Sequence, residues 1–228
     1  LHVLPDLGLL LRHLTMNTAL RWGFFALFVR PVVLVLIGLR IRDRERLPAQ
    51  GPAILVANHN SHLDAPVLIS LFPQRMLPRM RPVAAADYFL KRRVLAWFST
   101  RIMGVIPINR QRGSAHEDVL KDVSEALDRG DIVILFPEGT RGEPEQLSEF
   151  KSGVAHLSKR HPEVPVVPVF LHGLGKSLPK DESILVPFFC DVFVGEPLSW
   201  TGDRGTFMEI LRQRMLDLSA QENLPAWE

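Results

Sequence analysis

The sequence predicts an α/β fold: a mostly parallel central sheet with helices on both faces, preceded by an N-terminal membrane-associating helix pair. Three observations carry this. Short apolar runs bounded by Gly, Pro and Asp recur from residue 53 onward, as buried strands require. Segments of helical period lie between them, and strands alternating with helices argue a parallel sheet covered on both sides. The first forty residues are set apart by long apolar stretches. A chain of 228 residues, 46% of them hydrophobic, has enough material for one such domain and a real core.

The N-terminal segment, residues 1–40, contains "WGFFALFVRPVVLVLIGL" from 22 to 39, interrupted by Arg30 and Pro31. A spanning helix needs about 20 apolar residues and rarely carries a central arginine. Proline there kinks a helix or starts a new one. The run and its upstream cations Arg12, His13 and Arg21 fit two helices lying in one leaflet. A true span and a helix pair packed on the domain are the alternatives. No small-residue cleavage site follows, so a signal peptide is not expected. The chain does not begin with Met, which fits trimming or a longer parent.

From residue 41 to 228 the α/β domain is expected. Its strands are "AILVA" (53–57), "PVAAA" (82–86), "GVIPI" (104–108), "DIVILF" (131–136), "VVPVFL" (166–171) and "DVFVG" (191–195). Leu63, Val67, Leu68 and Leu71 form one apolar helical face after Ser61. Val119, Val123, Ala126 and Leu127 form a second, stopped at Gly130. Phe150, Val154 and Leu157 mark a third, and Phe207, Ile210, Leu211, Met215 and Leu218 the last. Residues 173–187 read as a long loop. "ADYFLKRRVLAWFST" has helical period, with aromatics around three consecutive cations; both core packing and a lipid surface accommodate it.

The net charge of +2 is unevenly placed. Arg75, Arg79, Arg81, Lys91, Arg92, Arg93 and Arg101 cluster with only Asp87 among them. A solvated face and a surface for anionic lipid or an acidic substrate both fit. A single cysteine, Cys190, excludes an internal disulfide and a multi-cysteine metal site. No G-x-G-x-x-G or Walker loop occurs, so nucleotide binding of those kinds has no support, and nucleic acid is not an expected partner.

Three turns carry the chemistry. In "NHNSHLD" (58–64), His59 and Asp64 are five apart, about 140° from each other on a regular helix. They meet only if His59 precedes the helix and Asp64 lies in its first turn. Ser61 as N-cap with Asp64 three later provides that break. The same residues also fit plain helix capping. A neutral imidazole oriented by a carboxylate is a general base near pH 7. No G-x-S-x-G elbow accompanies it, so the substrate is expected to bring its own hydroxyl. A metal site at His59, His62 and Asp64 lacks the required spacing.

The second turn, "FPEGTRG" (136–142), combines a Pro-Gly turn with Arg141, whose fork suits a phosphate. Glu138 would repel phosphate, and fits holding a cation in place or accepting from a substrate hydroxyl. The third, "GVIPINRQR" (104–112), ends a strand at Asn109, Arg110 and Arg112. Ligands of α/β sheets bind outside strand carboxyl ends, so all three turns open on one edge. Lys151 begins a helix near the second turn and adds a cation.

Together these residues resemble the glycerolipid acyltransferase family, which includes 1-acylglycerol-3-phosphate acyltransferases. "NHNSHLD" is similar to its N-H-x4-D signature, "GVIPINR" to its second motif, "FPEGTR" to its third and "VPVVPV" (164–169) to its fourth, in order. Pro107 sits where a bulky residue is common. The resemblance implies an O-acyltransferase that moves a fatty acyl group from acyl-CoA or acyl-carrier protein to a lysophospholipid hydroxyl. His59 would be the base and Asp64 its orienter, with no acyl-enzyme, metal or redox cofactor. Arg110, Glu138, Gly139 and Arg141 would hold the acceptor headgroup, with Thr140 and Lys151 completing the set. It also implies membrane association through residues 1–40, expected at the cytoplasmic face of a bacterial inner membrane. A hydrolase using the same dyad, and acylation of another acceptor such as a lyso-ornithine lipid, are the alternatives. Acyl length and oligomeric state are left open.

Overall fold

A computed structural model of the chain describes residues 16–89, 92–109, 119–142, 146–177 and 189–221. Its centre is a seven-stranded sheet. The strands are β1 (Leu39–Arg42), β2 (Ala53–Ala57), β3 (Met80–Ala85), β4 (Ile106–Ile108), β5 (Ile132–Leu135), β6 (Val166–His172) and β7 (Cys190–Val194). Their order is β1-β7-β6-β2-β5-β3-β4. Every pair is parallel except β6 with β7. The predicted α/β class and mostly parallel sheet are therefore present.

β2, β5 and β6 are wholly buried, which explains why they read as continuous apolar runs. Alternate residues still face opposite ways. Leu55, Ala57, Ile132, Ile134, Val167 and Val169 join one apolar cluster, and Ile54, Val56, Val133, Leu135 and Val166 the other. Helix α2 (Asp64–Ser70) covers the first face through Val67, Leu68 and Ile69. Helices α5 (Lys121–Asp128), α6 (Gly153–Arg160) and α8 (Arg204–Ala220) cover the second. The short α3 (Ala86–Phe89) follows β3, α4 (Arg93–Trp97) precedes β4, and α7 (Leu174–Ser177) follows β6.

The N-terminal segment differs from a detached helix pair. Helix α1 (Met16–Phe24) continues through π-helical turns at Phe25–Val29 and Val32–Leu36. Pro31 keeps helical dihedrals instead of breaking the run. The widened turns accommodate a ring that would otherwise strike the carbonyl four residues back. Phe25, Val29, Val33 and Ile37 are buried in the first apolar cluster, so one side of this segment is part of the domain's core. Buried Arg21 donates to the carbonyls of Met80 (2.9 Å) and Met103 (3.2 Å), pinning α1 to the sheet. Burial, and then the neighbouring Arg81, lower its pKa to about 10, so it stays charged at neutral pH. No helix among the described residues is long and apolar enough to cross a membrane.

Strand β1 was not predicted, whereas the six expected strands are present with shifts of one or two residues. The expected loop at 173–187 opens with α7; its residues 178–187 lie outside the described ones, as do residues 1–15.

Candidate active site

The carboxyl ends of β2 and β5 are neighbours. Val56 pairs with Leu135, so continuing the register brings position 59 opposite position 138. The helix after β2 lies on one face of the sheet and the helix after β5 on the other. This divergence opens a crevice between the two strand ends, the usual ligand site of such sheets.

His59 sits in that crevice, ahead of the helix. Its Nδ1 is 2.8 Å from Asp64 Oδ2. The same oxygen accepts from the N–H groups of Asn60 (2.7 Å) and Ser61 (2.9 Å). Asp64 is 0% exposed and His59 24%. The carboxylate thus winds the turn around itself and fixes the imidazole at once. An ionised carboxylate only accepts, so Nδ1 carries the proton and Nε2 keeps its lone pair. The Phe136 ring stacks on His59 at 4.2 Å between centroids and 21° between planes.

Ser61 does not cap α2 as predicted. The helix starts at Asp64, the cap position is Leu63, and no side chain caps it. Ser61 Oγ instead accepts from the Leu63 N–H at 3.3 Å. Only the return half of the capping box forms, because Asp64 reaches back to the Ser61 N–H.

Asn58 stitches the turn to β6: its Nδ2 donates to the Leu171 carbonyl (2.8 Å) and its Oδ1 accepts from the Leu171 N–H (2.7 Å). Glu138 is buried and points inward. Its Oε1 accepts from the His59 N–H (3.2 Å) and its Oε2 from the Ser148 N–H (3.4 Å). Burial raises its pKa, against the pull of these bonds. This carboxylate organises the backbone around His59.

Gly139 has φ +75°, and a Cβ there would lie 2.8 Å from Lys151 Nζ. Lys151 is therefore laid across the turn, and its N–H donates to the Pro137 carbonyl (2.9 Å). The Gly142 N–H donates to the His59 carbonyl (2.9 Å), tying the second motif to the first. Arg141 Nη1 donates to His62 Nε2. In the third turn, Gly104 has φ +74° and lies against the Arg21 guanidinium. Arg110 and Arg112 lie outside the described residues.

His59, Gly139, Thr140 and Arg141 line one cavity of about 440 Å³. Its other wall is apolar, formed by Pro82, Val83, Ala84, Ala85 and Val105, with His62 and Asp87 also present. A polar, basic side thus faces an aliphatic one across the imidazole. Phe136, the His62–Arg141 contact and the inward turn of Glu138 were missed in the sequence. Phe136 stands beside the recognised residues and Glu138 is one of them, but nothing in the order of residues tells which way they face. Among the described residues, no cluster of His, Cys, Asp or Glu is placed to hold a metal ion.

Comparison with known proteins gives this geometry its context. The Acyltransferase family model matches residues 38–172, more than half the chain. A chloroplastic 1-acyl-sn-glycerol-3-phosphate acyltransferase of Brassica napus is 33% identical over 160 residues, 69% of this chain and 44% of that protein. The alpha form of Mus musculus is 29% identical over 173 residues, 73% of this chain and 56% of that protein. The chain spans about half the length of these relatives. The crystal structure of the 1-acyl-sn-glycerophosphate (LPA) acyltransferase of Thermotoga maritima shares the fold, with TM-score 0.66 and 21% identity, covering 93% of this chain and 88% of that one. With the family model spanning β1 to β6 and including the turns after β2 and β5 that meet at the crevice, the chain belongs to the Acyltransferase family.

Proposed function

We propose that this chain is an acyltransferase that moves a fatty acyl group from a thioester, acyl-CoA or acyl-carrier protein, to the hydroxyl of a lysophospholipid such as 1-acylglycerol-3-phosphate. The observation that carries the reading is the 2.8 Å contact between His59 Nδ1 and Asp64 Oδ2 in a crevice. His59 Nε2 takes the acceptor's hydroxyl proton as its oxygen attacks the thioester carbonyl. The C–O bond forms and the C–S bond breaks. The imidazolium, steadied by Asp64, returns the proton to the departing thiolate. The sum is ester plus thiol, and these steps call on no metal or redox group.

Arg141, with Thr140, Gly139 and Lys151, is the proposed phosphate side, to which the second motif would add Arg110. Glu138 serves this side indirectly, through the His59 and Ser148 backbone. The apolar wall at Pro82–Ala85 suits an aliphatic chain.

The functional division is a membrane-facing segment, 1–40, and a catalytic unit, 41–228. It is supported by the outward side of the described N-terminal helix. Leu27 is 72% exposed, Phe28 62% and Val35 78%, although neighbouring Phe25 and Val29 face the core. Phe24 meets Phe98 edge-on at 5.1 Å, next to exposed Val94, Trp97 and Arg93. Apolar side chains flanked by arginines suit an anionic lipid surface, for which the cytoplasmic leaflet of a bacterial membrane is our assignment.

The test is an acceptor panel given both thioester donors: 1-acylglycerol-3-phosphate, glycerol 3-phosphate, a lyso-ornithine lipid and water alone. Diacyl product from the lysophosphatidate, well above the others, is expected. Free fatty acid as the main product with every acceptor would make the chain a hydrolase instead.

A further inference from the structure

We infer that His62 is a positioning residue that presets Arg141 for the acceptor's phosphomonoester. His62 lies three residues past the base and is exposed at the mouth of the same cavity. Its Nε2 accepts from Arg141 Nη1. The backbone beside Arg141 is held independently, by the Gly142 N–H on the His59 carbonyl at 2.9 Å. Arg141 is therefore fixed at its root and at its tip, both times to the turn that carries the base.

A long arginine side chain loses rotamer freedom when it orders around an anion. A bond made beforehand removes part of that cost and sets the guanidinium plane. The bond engages one N–H of a guanidinium that carries five, in a fork whose geometry matches a phosphate. It requires Nε2 of His62 to be unprotonated, which places that ring's proton on Nδ1. The nature of the ligand rests on the acyl-transfer reading; the preset arginine rests on the contact itself.

The experiment measures equilibrium binding of 1-acylglycerol-3-phosphate, glycerol 3-phosphate and phosphate-free 1-acylglycerol, beside acyl-transfer kinetics. His62→Phe keeps the ring volume and removes the acceptor atom. It should weaken the two phosphate ligands on the order of five- to tenfold, less than the full worth of a hydrogen bond to a charged group because only the preordering of Arg141 is lost. The phosphate-free ligand, kcat and the thioester KM should stay within about twofold. His62→Gln, whose Oε1 reaches about as far as Nε2, should bind nearly as wild type. In an Arg141→Ala background, His62→Phe should add nothing.

Unchanged phosphate binding in His62→Phe overturns the inference. So does a Gln variant as weak as Phe, or an effect that survives removal of Arg141. A wild type that shows the His62-dependent phosphate binding but transfers no acyl group overturns the proposed function and leaves the positioning role intact.

Discussion

At the residue scale the site is built around one buried oxygen. Asp64 Oδ2 gathers three donors, two from the backbone and one from His59. Asp64→Asn offers the same shape with a weaker acceptor, and can present an N–H where all three neighbours donate. It should lower kcat by roughly 10²- to 10⁴-fold, the span of general-base contributions, with little change in either KM; steady-state kinetics in both substrates decides. Glu138 supplies a pH prediction. Burial, opposed by the N–H groups of His59 and Ser148, lifts its pKa above the ordinary 4.5. The folded chain therefore holds this proton to higher pH than the unfolded one. The group's contribution to stability is full below pH 4.5 and is lost as pH rises through the folded value. Urea midpoints of wild type should decline across that interval relative to Glu138→Gln; parallel profiles would contradict this. The His59–Asp64 contact is legible in the sequence, because a five-residue spacing across a helix start restricts the geometry. In the sequence Glu138 fits holding a cation in place or accepting from a substrate hydroxyl. Its inward turn depends on the β2–β5 register, which no local spacing encodes.

At the element scale, each turn is fastened by a feature specific to it. The Asn58 amide satisfies both backbone groups of Leu171 and ties the β2 end to β6. Asn58→Leu would strand a buried N–H and a buried carbonyl, costing about 2–5 kcal/mol by the penalty for unmade bonds; denaturant unfolding measures it. Gly139→Ala meets both a positive φ and the Lys151 side chain. It should cost about 1–2 kcal/mol from backbone strain alone and move Lys151 off the turn. The buried strands were legible because parallel strands covered on both faces are uniformly apolar. β1, "LRIR", was not, because at the sheet edge it alternates half-buried with exposed residues and half its side chains are arginines. The helix through Pro31 was read as interrupted, since local propensity cannot register the packing of Phe25, Val29, Val33 and Ile37 that holds it together.

At the scale of the whole molecule, the sheet brings the carboxyl ends of β2, β4 and β5 to one edge, and the N-terminal helix has a core side and an outward side. Because its core side is integral, deleting residues 1–40 would remove core packing along with any anchor. The informative change is Leu27→Ser with Val35→Ser and Val94→Ser, which alters well-exposed side chains alone. This variant should keep its unfolding midpoint and lose sedimentation with anionic vesicles; retained sedimentation would contradict a membrane role for that face. Strand order, and the reversed direction of β1 and β7 relative to the other strands, are not legible in the sequence, because they follow from which faces remain to be covered. The central claim is that the acceptor's own hydroxyl is the nucleophile and His59 its base. The most direct test is thiol release from labelled acyl-CoA and acyl-carrier protein, with and without 1-acylglycerol-3-phosphate, in wild type and His59→Ala. Release that requires the acceptor, matches diacyl product one for one and disappears in the variant is the predicted result; release indifferent to the acceptor, or to His59, would contradict it.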